Sequence, residues 1–326
     1  MSKRYAVVSV GTNSTRMLVA DVAFDVPRIT AGASIGTRIG EGLGPNDALR
    51  AEPMRRTLDA IAQLQRRIRG HYVRLFAIAT SALRRASNAD EFLARAEEIL
   101  GVPVRVLSGD EEAAASYRGA ITALGPLKGE RVGVVDTGGG STEYAVGTDL
   151  APERVLSCEI GAVRLTEELP KMAGRDGAVD SATVERARAL AREALKPMTE
   201  CDPVERAAVV GGSASTAAGI LRGRRGTLAA FRLTRDDLQR VLERLCAMPL
   251  EQRKKVAGMK PQRADILPAG IVVLDAALES IGLSECVATT SDLLLGVMLQ
   301  HRDAAGPAAG EGGFPRAGSR PPRNLS

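Results

Sequence analysis

A short stretch of this chain occurs twice, and that constrains the fold more than any other feature. Val8-Ser9-Val10-Gly11-Thr12-Asn13-Ser14-Thr15-Arg16 aligns without gaps on Val135-Asp136-Thr137-Gly138-Gly139-Gly140-Ser141-Thr142-Glu143. The shared frame is Val, two residues, Gly, two residues, Ser-Thr. Each copy has an apolar run before and after a glycine turn, the pattern of two strands and a tight connection. One copy lies near the start of each half. A duplicated strand–turn–strand unit predicts two similar domains facing each other across a cleft.

Such a turn has a chemical use. Without a Cβ, glycine lets backbone N–H groups converge on an anion, and Ser and Thr add hydroxyl donors. Two turns in opposition can grip a polyanion from both sides. Asp136 and Glu143 flank the second turn, and Mg²⁺ takes oxygen ligands from one or two carboxylates, water and substrate phosphates. The bland alternative is a pair of hairpin turns in a duplicated scaffold.

Composition removes other classes. The net charge is +5 over 326 residues, too little for a dedicated nucleic-acid binder, which carries a strong basic patch. With 44% apolar and 25% charged residues, the chain reads as globular, and its length suits two domains. No apolar run reaches the roughly 18 residues of a membrane helix. Met1-Ser2-Lys3-Arg4 does not open a secretory signal. Cys158, Cys201, Cys246 and Cys286 lack metal-type spacing and read as reduced structural thiols of a cytoplasmic protein. With only two histidines, His71 and His301, chemistry falls to carboxylates, hydroxyls, arginines and backbone amides.

Strands and helices mix along the chain, which predicts an α/β fold. Strands are expected at Tyr5–Val10, Thr15–Val22, Ile29–Ile39, Val73–Ala79, Pro103–Leu107, Arg131–Asp136, Glu143–Val146, Glu153–Ile160, Ala207–Val210 and Cys286–Thr289. Helices are expected at Pro53–Arg69, Ala89–Leu100, Ser108–Leu124, Ser181–Leu195, Ser213–Leu221, Thr234–Leu245, Ala264–Ile281 and Ser291–Leu299. Gly125-Pro-Leu-Lys-Gly129 is turn material. It divides the chain into a first domain, 1–124, and a second, 125–301. From Arg302 onward Gly, Pro, Ala and Arg dominate, so 302–326 is expected to be a disordered tail.

Three further segments carry candidate chemistry. Ser108-Gly-Asp-Glu111 fits a capping box, and helix-dipole stabilisation is a sufficient reason for Asp110 and Glu111. Ala79-Thr-Ser-Ala-Leu-Arg84 places an arginine at a strand-to-helix junction. There it can meet a phosphate or simply close an ion pair, and the residues alone do not choose. Val210-Gly-Gly-Ser-Ala-Ser-Thr216 presents a helix N-terminus suited to phosphate.

Together these segments resemble the exopolyphosphatase/guanosine pentaphosphate phosphatase family, in order along nearly the whole body. The matching stretches are Val10–Met17, Ala79–Arg84, Ser108–Ala113, Val135–Glu143, Ile160–Leu165, Gly211–Thr216 and Arg263–Gly270. The resemblance implies two ribonuclease-H-like domains of the actin-like ATPase superfamily around a central cleft. It also implies Mg²⁺-dependent hydrolysis of a terminal phosphoanhydride, and it allows a homodimer and a final helix packed on the first domain. By resemblance, Glu112 is the catalytic glutamate that activates water, and Asp136 and Glu143 are the acidic metal positions. Gly138, Gly139, Gly140 and Ser141 form one phosphate loop, Gly11, Thr12, Asn13 and Ser14 the other, and Arg84 binds phosphate.

One departure stands out. Where the family has Asp two residues before the first glycine, this chain has Ser9, which removes a negative charge from the metal site. The chain also matches the short, two-domain form. The motifs do not separate inorganic polyphosphate from guanosine pentaphosphate or tetraphosphate. Polyphosphate is preferred because no nucleoside pocket is evident and aromatics are few (Tyr 4, Phe 5, Trp 0). Rival readings are a weakly active polyphosphate or alarmone sensor, suggested by Ser9, and an ATP-dependent kinase on the same scaffold.

Overall fold

The computed structural model describes residues 3–24, 27–43 and 48–304. The strands are β1 (Arg4–Val10), β2 (Ser14–Asp21), β3 (Arg28–Gly36), β4 (Arg74–Ala79), β5 (Val104–Val106), β6 (Val132–Thr137), β7 (Thr142–Gly147), β8 (Arg154–Cys158), β9 (Arg206–Val210), β10 (Phe231–Thr234) and β11 (Glu285–Ala288). The helices are α1 (Ala51–Ile68), α2 (Ser81–Arg85), α3 (Ala89–Leu100), α4 (Gly109–Ala120), α5 (Ala162–Glu168), α6 (Ser181–Leu195), α7 (Gly211–Leu221), α8 (Arg235–Cys246), α9 (Leu250–Arg253), α10 (Leu267–Ser280) and α11 (Leu293–Ala304).

The duplication extends to whole sheets. The first has the order β3-β2-β1-β4-β5, the second β10-β11-β9-β6-β7-β8. Reversed, the second reads β8-β7-β6-β9-β11, the same arrangement with β10 added at its edge. In both, the leading strand pairs antiparallel with the next strand and parallel with the one on its other side. Both sheets thus share one α/β topology, the arrangement expected of two ribonuclease-H-like domains.

Each sheet is covered on both faces, and the strands of its centre are correspondingly apolar. Ile61, Leu64, Phe92 and Ala96 from α1 and α3 cover one face of the first sheet. Residues from α6, α7, α8 and α10 cover one face of the second. The other two faces are served by α11 and α4. Leu294, Val297 and Met298 pack on Tyr5, Val7 and Phe76 of the first sheet. Ala113, Tyr117 and Ala120 pack on Val132, Val134 and Ala208 of the second. So α4 lies within 1–124 in sequence yet lays its apolar face on the second sheet.

These two helices cross closely because each offers a glycine. A Cβ on Gly296 would stand 1.7 Å from the Ala115 carbonyl oxygen, and one on Gly119 would stand 2.2 Å from that of Asp292. Any side chain there forces the helices apart.

Several element limits differ from expectation for physical reasons. The strand expected over Ile29–Ile39 ends at Gly36, because Thr37 and Arg38 turn away to donate to the Asn13 carbonyl. Pro268 cannot donate, so α10 starts at Leu267 with proline in its first turn rather than at Ala264. The final helix runs through Ala304, taking in the first three residues assigned to the tail. The remainder of that tail, 305–326, lies outside the described residues. Periodicity over short segments missed α2, α5 and β10. All four cysteines are free thiols, and among the described residues no helix is long and apolar enough to cross a membrane.

Candidate active site

Each glycine turn joins the first two strands of its sheet, and the two are built alike. Gly11 N–H donates to the Ser14 carbonyl at 3.0 Å, and Gly138 N–H donates to that of Ser141 at 3.0 Å. The strand registers also match: Ser9 lies opposite Arg16 and Asp136 opposite Glu143.

The turns meet across the cleft. A Cβ on Gly139 would lie 3.2 Å from Thr12 Cβ and 3.3 Å from Asn13 Cβ. One on Gly140 would lie 2.7 Å from Ser81 Oγ and 2.9 Å from Thr12 Oγ1. Of the three glycines of the second copy, Gly140 and, less tightly, Gly139 face this approach, while a Cβ on Gly138 would meet only the Ser141 carbonyl of its own turn, at 3.0 Å. A cleft of about 450 Å³ opens beside the contact, lined by both turns, Arg16, Glu112, Asp136, Lys260, Arg263 and Asp292.

Glu112 enters from the first turn of α4. Ser108 Oγ accepts from Glu111 N–H at 3.1 Å, and Glu111 Oε2 accepts from Ser108 N–H at 2.9 Å. That capping box fixes the helix start and turns the next residue, Glu112, inward. Glu112 is 7% exposed and Glu143 1%. Arg84 Nη1 donates to Glu112 Oε2 at 2.6 Å and to the Leu107 carbonyl at 2.9 Å, and Arg84 Nη2 stands 3.9 Å from Glu143 Oε1. Ser116, one turn beyond Glu112 on α4, donates to Asp136 Oδ2 at 2.6 Å. Ser157 Oγ donates to Glu143 Oε1 at 3.0 Å.

The structure thus brings Glu112, Asp136, Glu143, Arg84 and both turns together. Glu112 and Asp136 open on the cleft, while Arg84 and Glu143 stand behind its wall. Burial pushes Glu112 up to about 7, assisted by the charge of Asp136 and opposed by Arg84. Burial pushes Asp136 up to about 6, helped by Asp292. Glu143 is held well above the ordinary carboxylate range by burial and by its neighbours Glu112 and Asp136. Removing three carboxylates from water raises the free energy of their charged forms, and a cation in the cleft would relieve it.

Basic groups also line the cleft. Burial lowers Lys260 to about 8 and Arg263 to about 10, and each also feels Arg16. Lys260 Nζ donates to Ser215 Oγ at 3.1 Å, and Arg263 Nε is buried without a hydrogen-bond partner. Other buried atoms around the turns lack partners too: Asn13 Oδ1, Ser81 Oγ, Thr137 Oγ1 and Arg84 Nη2. Orphaned donors and acceptors are rare in native interiors, and a group of them fits a polar ligand.

Among the described residues no three acidic, histidine or cysteine side chains converge closely enough to hold a metal by themselves. The cleft carboxylates Glu112 and Asp136 offer oxygen donors of the kind a hard cation takes.

A sequence profile described as the Ppx/GppA phosphatase family matches residues 18–300. The chain belongs to the Ppx/GppA phosphatase family. It is 32% identical over 324 residues to exopolyphosphatase 2 of Mycobacterium tuberculosis, covering 91% of this chain and 98% of that protein. A crystal structure of the Aquifex aeolicus Ppx/GppA family member superposes with a TM-score of 0.76 at 25% identity, over 94% of this chain and all of that one (100%). A crystallised exopolyphosphatase-like protein gives a TM-score of 0.83 at 26% identity, covering 94% and 99% of the two chains.

Arg16 and Arg263 fall inside Ppx/GppA-like motifs, whereas Ser116, Lys260 and Asp292 fall outside them. For Arg16 a signal existed, since it is the repeat counterpart of Glu143. Asp292 before an apolar run reads as an ordinary helix start, and nothing local ties it to the cleft.

Proposed function

We propose that the protein hydrolyses the terminal phosphoanhydride of a polyanionic phosphate, and that inorganic polyphosphate is the substrate. The observation that carries this is Glu112 in the cleft lined by the two opposed glycine turns. The similarity to an exopolyphosphatase over nearly the whole chain supports the choice of substrate. So do the basic groups Arg16, Lys260 and Arg263 of the cleft, which extend anion attraction beyond a single phosphate.

In this reading the amides and hydroxyls of Gly11, Thr12, Asn13 and Ser14, with those of Gly138, Gly139, Gly140 and Ser141, hold the terminal phosphate. Arg84, expected by resemblance to bind phosphate, instead orients Glu112 through Nη1, while its Nη2 faces Glu143 behind the wall. Mg²⁺, when bound, would neutralise charge on the phosphate oxygens. Asp136 would meet it directly, and Glu143 would add charge from behind the wall. Glu112 takes the proton of a water that attacks the terminal phosphorus. The bond to the bridging oxygen breaks, and orthophosphate leaves a chain shorter by one phosphate. Phosphoryl transfer asks the protein mainly for positioning and charge neutralisation, and the site supplies both.

The test is orthophosphate release with Mg²⁺ from long-chain polyphosphate and, separately, from guanosine pentaphosphate, with Glu112→Gln as control. Release from polyphosphate that the variant loses is the expected result. Release only from guanosine pentaphosphate would reassign the substrate. Binding of either without release would favour the sensor reading suggested by Ser9.

A further inference from the structure

Ser9 breaks the symmetry of the repeat. Its counterpart Asp136 faces an acid, Glu143, whereas Ser9 faces Arg16. Side chains directly opposite on antiparallel strands share a face and lie within reach of each other. An acid at position 9 would therefore stand beside the Arg16 guanidinium, and serine brings no charge there.

Arg16 finds its counter-ion elsewhere. Its Nη2 donates to Asp292 Oδ2 at 2.5 Å, across 276 residues of sequence. The Asp292 side chain is 5% exposed, and it lines the same cleft as Ser9, Glu112 and Asp136. Its place is tightly set. Oδ1 accepts from Leu294 N–H at 3.2 Å, and its carbonyl accepts from Gly296 N–H at 2.9 Å. That same carbonyl sits over Gly119 of α4, where a Cβ would be 2.2 Å away. The helix crossing that seats Asp292 thus involves the helix that carries Glu112 and Ser116.

We propose that Asp292 is a positioning residue for the anion site, supplying from just before the last helix the counter-ion that the first turn lacks at Ser9 and aiming Arg16 into the cleft. The inference takes its ligand class from the phosphoanhydride reading above. Two effects of removing the Asp292 charge have opposite signs. The cleft becomes more positive, which by itself strengthens polyanion binding. Arg16 also loses its aim, which weakens binding. If positioning is the role, the second effect wins.

The probe is tripolyphosphate, titrated calorimetrically into the full chain in metal-free buffer, where binding is read without turnover. Asp292→Asn removes the charge and keeps an oxygen for Leu294 N–H. Affinity is expected to fall about tenfold or more, the scale on which a misplaced binding group acts. Adding Ser9→Asp restores a counter-ion on the face of Arg16, and affinity should return to within about threefold of the unaltered chain. Unchanged or tighter binding by Asp292→Asn would overturn the proposal. So would a double variant that regains the melting temperature without regaining affinity, since that marks a merely structural pair. Phosphate release by the unaltered chain tests the hydrolase reading separately. If release is absent while affinity still follows Asp292 and Ser9 as stated, hydrolysis falls and the positioning role stands.

Discussion

The two glycine turns share a backbone and differ in charge. Their closing hydrogen bonds and strand registers correspond residue for residue. In the second, Asp136 and Glu143 face each other. In the first, Ser9 faces Arg16, whose pKa burial lowers and whose bonded partner Asp292, with the charge of Asp136, raises above its usual value. The comparison teaches that the repeat preserves what the turn needs sterically and leaves the charges free to specialise. The second turn carries acids suited to a cation and a water, and the first carries an arginine suited to phosphate.

The largest effect should come from the acid that serves both turns. Glu112→Gln is expected to cut turnover by about 10²–10⁴-fold, the usual worth of a general base, with the melting temperature retained. Stopped-flow phosphate release measures it, and near-normal turnover would remove Glu112 from the mechanism.

A steric prediction separates the turns next. Gly140→Ala drives a methyl toward Ser81 and Thr12 and should destabilise the protein by about 1–3 kcal/mol, as overpacking does. Gly11→Ala meets the Ser14 carbonyl at 3.3 Å and Thr80 Oγ1 at 3.9 Å and should cost less. Denaturant midpoints compare them, and equal losses would mean that the turns are equally crowded.

A pH profile sharpens the electrostatic side. Glu112 must be ionised to accept a proton, and it is pushed up to about 7 chiefly by burial. With its pKa raised, kcat/KM should fall as pH drops through about 7. An acidic limb left in the ordinary carboxylate range would show that a bound cation neutralises the acids before Glu112 titrates.

The smallest effect concerns the helix that follows Asp292. His301 of α11 stacks on Phe76 at 4.1 Å between ring centroids. Burial, with Arg105 and Arg74 nearby, lowers its pKa to about 4. The unfolded chain therefore takes up this proton first, so this contribution to stability falls as pH drops from about 6.5 toward 4. The raised carboxylates act in the opposite sense, so the quantity to measure is the difference between the unaltered chain and His301→Phe. A variant with the same pH dependence would discount His301.

Much of the molecule was legible because it is decided locally. The turns, the Ser108 capping box and helices such as Ala89–Leu100 and Ser181–Leu195 are set by residues within a few positions of one another, where backbone freedom and nearest donors dominate. The repeat also implied two sheets of one kind, since the same strand–turn–strand unit builds the same start in each. Short segments such as α2 and β10 escaped because one helical turn or four residues give too little periodicity to read.

Other features exist only once the chain is folded. That α4 leaves its sequence neighbours to cover the second sheet follows from which apolar faces remain uncovered and from glycines at 119 and 296, whereas the return of α11 to the first was foreshadowed by the family resemblance alone. The raised acids arise from burial, which no residue has alone. The union of Arg16 with Asp292 joins residues 276 positions apart. Short-range geometry is written in neighbouring residues. A charge acquires its partner, and hence its use, only when packing removes it from water and chooses what stands beside it.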